Sequence, residues 1–582
     1  MPARGATRAI RDEAARTARA GPSGAANANE PGPDPFRVAR ALLAGLPPVL
    51  LAELRAAFDA SYYRAVGEPI AAECDALEHY IAHGWREGRD PSRDFSTRFY
   101  LERYPDIRRA GVNPFVHYVR IGRARGRLPR APGGWKQEAI ARSRLPAAMR
   151  RDWTRQDAEP EGMAANGLRD WLLALASPAT PELVLALSHD DHRTVGGVQL
   201  CIQNEVRSAA RHGRIVVAVR PWQPLPTLAE PDADPLLCLY APSGETAHAH
   251  GAALVEAVRG LDGFGAIHLV IHHLMGHAPE RVADLALAAG GERIAWLHDF
   301  FTLCPSYALQ RNGVAFCGAP DPSSNACEIC VYGGERPEHL RRIGAFIERA
   351  GVRIVSPSAA ALDLWRSRGD HPAGATVVAP HMVPSPLRSG EADPTVERAG
   401  GAALRVAHVG ATTPQQGWAT FERLHDALAE RADVEFWRFG SGDVAPGRRI
   451  RSVAVSVSAD APDAMARALR ENAIDVVVNW TGCFETFSFA AHEALAAGAI
   501  VLTGPASGNV AAMVRQSGRG AVLADEDALL AFLADGGART LVGRCRARGA
   551  PPNLVLGDMS HAVLPSPAAP SPSAAAECGS AP

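Results

Sequence analysis

The sequence predicts an α/β protein: two Rossmann-like domains facing across a cleft, preceded by a small all-α repeat module. Three observations predict it. Between about residues 180 and 535, short apolar runs alternate with Gly-bearing turns and amphipathic stretches, the pattern of βα units around a parallel sheet. A Pro-rich segment from Pro380 to Pro394 cuts that alternation into two halves. Ahead of both halves, one motif occurs twice at an offset of 37 to 38 residues.

The bulk properties bound the classes. At 582 residues the chain exceeds a single core, since domains run to about 150 residues. Hydrophobic residues make up 47% and charged residues 21%, the balance of a folded protein. A net charge of −2 gives no global field for nucleic acid, so no nucleic-acid partner is expected. Lys136 is the only lysine, so a phosphate must be gripped by arginine, backbone N–H groups or a helix terminus. No run reaches 18 uninterrupted apolar residues, and the first 35 residues lack the apolar core of a signal peptide. A cytoplasmic protein with reduced cysteines is therefore expected.

Residues 1–35 read as a disordered N-terminus. Residues 36–130 read as the helical module, in two copies of about 38 residues. Phe58-Asp-Ala-Ser-Tyr-Tyr63 is echoed by Phe95-Ser-Thr-Arg-Phe-Tyr100, and His79-Tyr80-Ile-Ala-His-Gly84 by His117-Tyr118-Val-Arg-Ile-Gly122. His79 and His117 are expected as core or capping residues. Residues 131–178 read as a linker, and residues 551–582, rich in Pro, Ser and Ala, as a disordered tail.

The N-terminal Rossmann-like domain is expected over 179–385. Its strands are Glu182–Ser188, Arg214–Arg220, Ala266–His272, Arg293–His298 and Val352–Val355, and its first helix runs from Gln199 to His212. The C-terminal domain is expected over 403–545, with strands at Leu404–Gly410, Val434–Phe439 and Ile474–Asn479. Ligands of such sheets bind outside the carboxyl ends of the strands. There the second domain carries Glu485-Thr-Phe-Ser-Phe-Ala-Ala-His-Glu493, in which Ser488 can cap a helix ending at Gly498. The helix N-terminus suits a diphosphate, and the two carboxylates suit ribose and sugar hydroxyls as acceptors.

The Glu-x7-Glu element, the Gly196-Gly197 loop and the Ser356-Pro-Ser358 turn resemble the family 4 retaining glycosyltransferases of GT-B fold, of the bacterial polysaccharide-associated type with an N-terminal repeat module. The likeness covers roughly residues 180–535. It implies transfer of a sugar from a nucleotide-sugar donor to a polysaccharide, lipid-linked or protein-bound acceptor, with no cofactor required for catalysis. It implies that Glu493 holds the ribose, and that Glu485, Phe487, Ser488 and Phe489 meet the sugar and diphosphate. Gly196 and Gly197 would let backbone approach the donor, and His298 would face the reaction centre. The front module implies docking, either at the inner membrane or on other biosynthetic proteins. One departure stands out: where the family carries an Arg and a Lys after the first strand of the second domain, this chain has Gly410-Ala-Thr-Thr-Pro-Gln-Gln416. Gln416 holds the Lys position, and Arg438 is a candidate replacement cation. A catalytically degenerate scaffold and a GT-B epimerase are the alternatives.

Cys304, Cys317, Cys327 and Cys330 follow the order C-x12-C-x9-C-x2-C inside the first domain, an insertion over 304–330. Four thiols closing on C-x2-C suit a structural zinc. Reduced packing cysteines and disulfides are the other two readings.

Overall fold

In the front segment one small constellation of side chains is built twice. Tyr63 Oη meets His79 Nδ1 at 2.8 Å, and Tyr100 Oη meets His117 Nδ1 at 2.9 Å. Each histidine ends a four-residue helix, Ala76–His79 or Pro114–His117, whose N-cap Asp75 or Asn113 accepts two backbone N–H bonds. A five-residue π-helical turn follows each, Tyr80–Gly84 and Tyr118–Gly122. A Cβ on Gly84 would lie 1.9 Å from Tyr63 Oη, and one on Gly122 2.2 Å from Tyr100 Oη. The tyrosine hydroxyl thus fills the space a side chain would need, which is why both copies carry glycine there. Phe58, Tyr63, Tyr80, Phe95, Tyr100 and Phe115 are all buried in one aromatic core. Burial lowers both histidines below their ordinary pKa, so each stays neutral as the half-buried partner of its tyrosine.

This computed structural model describes residues 35–65, 70–71, 73–130, 134–153, 157–369, 374–385, 402–441, 448–549, 551 and 553–567. The expected disordered N-terminus falls almost wholly outside the described residues. The chain divides into two units, one through Ala141 that also takes Arg448, and one over Arg142–Ser441 and from Arg449 onward.

The second unit holds two large sheets. The first contains β1 (Glu182–Leu187), β2 (Arg214–Pro221), β3 (Leu236–Tyr240), β4 (Thr246–His250), β5 (Ala266–Ile271) and β6 (Gly290–Trp296). A short hairpin follows, β7 (Gln310–Arg311) and β8 (Ala315–Phe316), and then β9 (Arg353–Ser356) and β10 (Thr376–Val378) return to the sheet. The order is β10-β9-β6-β5-β1-β2-β3-β4, parallel except that β3 runs against both neighbours. The second sheet contains β12 (Leu404–Val409), β13 (Val434–Gly440), β14 (Ile450–Ala454), β15 (Val476–Val478), β16 (Ile500–Thr503) and β17 (Gly520–Val522). Its order is β14-β13-β12-β15-β16-β17, all parallel. Each sheet reverses its winding beside its first strand, at β1/β5 and β12/β15, where crevices form in doubly wound sheets.

Two expectations on the flanks need correction. The helix Ala165–Leu173, inside the expected linker, drives Leu168 and Leu172 into the first sheet's core at 0% exposure. The expected disordered tail is ordered over 553–567. There β18 (Asn553–Leu556) pairs antiparallel with β11 (Met382–Ser385), and Met559 and Leu564 then enter the core beneath the first sheet. Trp296 Nε1 donates to Ser560 Oγ at 2.9 Å, and Arg353 to the Val563 carbonyl at 2.9 Å. Pro, Ser and Ala dominate only from Pro565 onward, whereas 553–564 carry seven apolar residues, of which Met559 and Leu564 find a ready-made core. Among the described residues no helix is long and apolar enough to cross a membrane.

Candidate functional site

The loop after β15 leads into the helix Phe489–Ala496. Ser488 caps it, accepting the Ala491 N–H, and Gly498 ends it at φ +86°. Glu493 sits in its second turn and is buried at 4% exposure. Glu485 is half-buried on the loop, with its carbonyl accepting from Asn509 N at 2.9 Å. Burial pushes each carboxyl up to about 7. Among the described residues no cation lies against either one.

The first sheet meets this loop from its own carboxyl ends. Gly197 opens the helix Gly197–Ser208, and a Cβ there would lie 3.6 Å from the Phe489 ring. A Cβ on Gly196 would strike the Gln199 side chain. Thr486 Oγ1 donates to the carbonyl of His298, just beyond β6, and Ser358 Oγ donates to the Thr486 carbonyl at 2.8 Å. Gln310 in β7 donates to the Gly482 carbonyl at 2.9 Å. The structure therefore brings Gly197, His298, Ser358 and the 482–489 loop together, though they lie far apart in sequence.

His298 does not stand alone, as the sequence suggested. Its Nε2 meets His272 Nδ1 at 2.9 Å, and its Nδ1 meets His381 Nε2 at 3.2 Å. His272 Nε2 in turn meets Glu205 Oε2 at 2.8 Å, with both side chains at 0% exposure. Burial works to raise the Glu205 carboxyl, but His272 beside it outweighs that and holds it below its ordinary value. An ionised carboxylate only accepts, so His272 Nε2 donates to Glu205, while the two histidine–histidine bonds take their directions from the ring tautomers. Burial holds His298 well below its ordinary pKa and takes His381 down to about 3, so both are neutral. The chain ends at His381 Nδ1, a buried ring nitrogen with no hydrogen-bond partner among the described residues. His381 stacks on Phe489 at 5.7 Å and meets Phe487 edge-on at 5.0 Å, so the chain runs from the first core to the second domain's loop. Beside it His273 Nε2 pairs with Asp299 Oδ2 at 3.0 Å.

Glu205, His272, His273 and His381 escaped the sequence reading. The one available signal was histidine at strand ends: the pair His272-His273 directly follows β5. His381 lies in the Pro-rich separator, where no pattern marks it.

The two candidates for the missing cationic clamp are placed differently. Gln416 is exposed on the 3-10 turn Pro414–Gln416, near Gly410. Arg438 is in β13 at 1% exposure, and its guanidinium is engaged by Ser452 Oγ at 3.0 Å and by the Ser441 carbonyl. It is closed off from solvent, which does not fit a cation waiting for a diphosphate.

All four insertion cysteines line one cavity of about 10 Å³, and no disulfide joins them. Backbone N–H groups of Ser306 and Ala319 point at Cys304 and Cys317, and Arg336 Nη1 lies 2.9 Å from Cys327 Sγ. Burial pushes the Cys304 thiol up to about 12. The ligand set and its hydrogen bonds suit a thiolate-bound metal, but the sulfurs are more widely spaced than a coordination sphere. Among the described residues only Cys201, His298 and His381 bring three ligand atoms within 4.8 Å of one another, and the two histidines there already share a proton.

No family model matches the chain, and no curated protein matches it. Among solved structures, sucrose-phosphate synthase from Thermosynechococcus elongatus is 16% identical, over 63% of this chain and 94% of that one, with a TM-score of 0.38. Anabaena HepE in complex with UDP-glucose is 17% identical over 63% and 94%, with a TM-score of 0.39. WaaG, a glycosyltransferase involved in lipopolysaccharide biosynthesis, is 11% identical over 62% and 94%, with a TM-score of 0.34. At such TM-scores the likeness decides nothing, and the α/β class stands on the two sheets themselves.

Proposed function

We propose that this chain transfers a sugar from a nucleotide-sugar donor to a glycan or lipid-linked acceptor, with retention of anomeric configuration. The observation that carries the proposal is the pair Glu485 and Glu493, two carboxyls raised to about 7 with no cation against them, flanking a helix N-terminus. Such groups accept hydroxyl donors, and a ribose and a hexose supply them. The free N–H groups of the helix Phe489–Ala496 take the diphosphate between. Across the contact, Gly197 and the His298 carbonyl border the same loop, where donor and acceptor would be oriented. Catalysis then rests on positioning and on stabilising the leaving diphosphate, with no divalent metal required.

A second reading, a degenerate transferase kept as a binding subunit, is favoured by one observation. Gln416 is neutral and Arg438 is engaged elsewhere, so no side-chain cation for the diphosphate is identified. A thermal-shift and turnover screen across nucleoside diphosphates and their sugars separates the two. The transferase reading expects stabilisation by one nucleotide-sugar, turnover with it, and loss of both in Glu493→Ala. Binding without turnover supports the subunit reading. No stabilisation by any nucleotide sinks both.

A further inference from the structure

The two copies of the front repeat share one fold and carry opposite charge. Residues 58–94 hold four arginines against eight acids, and residues 95–130 hold nine arginines against two acids. The core does not require this difference, because the shared Tyr–His–Gly constellation is neutral in both copies. Both acids of the second copy are already engaged: Glu102 by Arg98 and Asp106 by Arg127, each at 2.8 Å. Arg103, Arg108, Arg109, Arg120, Arg123 and Arg125 remain exposed, with no acidic partner among the described residues.

Most of these arginines are gathered. The Arg127–Asp106 bridge, the Arg127 guanidinium 4.6 Å over the Tyr104 ring, and the 2.8 Å bond from Leu128 N to Tyr104 Oη hold 103–109 beside 123–128. Arg108 and Arg109 end the helix Pro105–Ala110, where the negative end of the helix dipole favours them. Two aliphatic side chains of this repeat break the surface, Val112 directly after the Gly111 cap of that helix and Leu128 beside Tyr104, at 39% and 41% exposure.

We infer that the second repeat docks the protein on an anionic phospholipid surface. The arginines supply the attraction to lipid phosphates, and Val112 and Leu128 enter the apolar margin of the headgroup layer. A polyanionic glycan or nucleic acid would use the arginines but leave the aliphatic pair in water, so the combination favours the bilayer. The first repeat, net acidic, turns no such face to the lipid. The inference does not depend on the glycosyl-transfer reading.

Vesicle co-sedimentation of the full chain tests it, using phosphatidylcholine alone or with about a third phosphatidylglycerol, at low and high salt. One arginine near such a surface contributes roughly fivefold in partitioning. The triple variant Arg108→Glu/Arg109→Glu/Arg123→Glu should lose at least about a hundredfold, and Leu128→Ser should lose a smaller factor that salt does not change. Arg55→Glu/Arg86→Glu, outside the second repeat, should bind as the unmodified chain does. Thermal unfolding of each variant shows that the module remains folded. Equal binding to neutral vesicles, undiminished binding of the triple variant, or capture by a soluble polyuronate without vesicle binding each overturns the proposal.

Discussion

Glu493 ties one residue's burial to the stability of the whole chain. Its carboxyl titrates near 7 in the folded protein and near its ordinary value of 4.5 when unfolded. The folded state therefore holds this proton more tightly, and stability falls as pH rises from about 4.5 to about 7. The contribution is fully lost above that window. A shift of this size corresponds to about 3 kcal/mol between the two ends. Glu493→Gln should lose this part of the slope and keep the similar part owed to Glu485, so its melting temperature should gain on the unmodified chain at pH 8 and not at pH 4.5. Parallel pH profiles for both proteins would contradict the assignment. At this scale sequence reading found the two glutamates, because their spacing places them around a helix cap. It missed Glu205, His272 and His381, whose bonds join positions 26 to 83 residues apart. No local pattern encodes such a chain, because it forms only once two strand ends, the helix Gly197–Ser208 and the separator converge.

Elements were legible where local chemistry writes them. Ser488 at the cap and Gly498 at the end bound the helix Phe489–Ala496, as their types suggested. The hairpin of β3 and β4 was not read, because its second strand, Thr-Ala-His-Ala-His, is weakly apolar and is placed by pairing with β3. The repeat glycines offer a test at this scale. Gly84→Ala and Gly122→Ala each push a methyl group against a buried tyrosine hydroxyl and should cost about 1–3 kcal/mol in chemical denaturation. Tyr63→Phe should recover part of the Gly84→Ala loss, since it removes the atom struck; additive losses in the double variant would refute the contact. For the cysteine insertion, a structural zinc is our proposal for the cavity between the four sulfurs. Binding would draw them in to about 2.3 Å from the metal. Purified protein under reducing conditions should carry close to one zinc per chain, and less than about a tenth of an equivalent rules it out.

For the whole molecule, the decisive feature is the return of the chain's last described residues to the first sheet. β18 closes against β11, and Met559 and Leu564 then fill the core that also holds Val184, Ala186 and Trp296. Ending the chain at Gly549 should therefore lower stability by more than about 3 kcal/mol, as removal of two buried apolar side chains does. Met559→Ala alone should account for a good part of it. A truncated protein melting within about 1 °C of the full chain would show the return segment to be dispensable.

The sequence by itself determined the α/β class, the principal strands of both sheets, the doubled front motif and the helix cap that carries Glu485 and Glu493. Each is set by short-range periodicity or by a residue type with a local conformational preference. Only the tertiary structure decided that residues 165–173 and 553–567 belong to the first core, that Arg438 is engaged away from solvent, and that His298 is the middle of a four-residue chain. Those outcomes depend on which distant surfaces meet. Burial there sets the pKa values and the hydrogen-bond partners, and no local stretch of sequence contains that information.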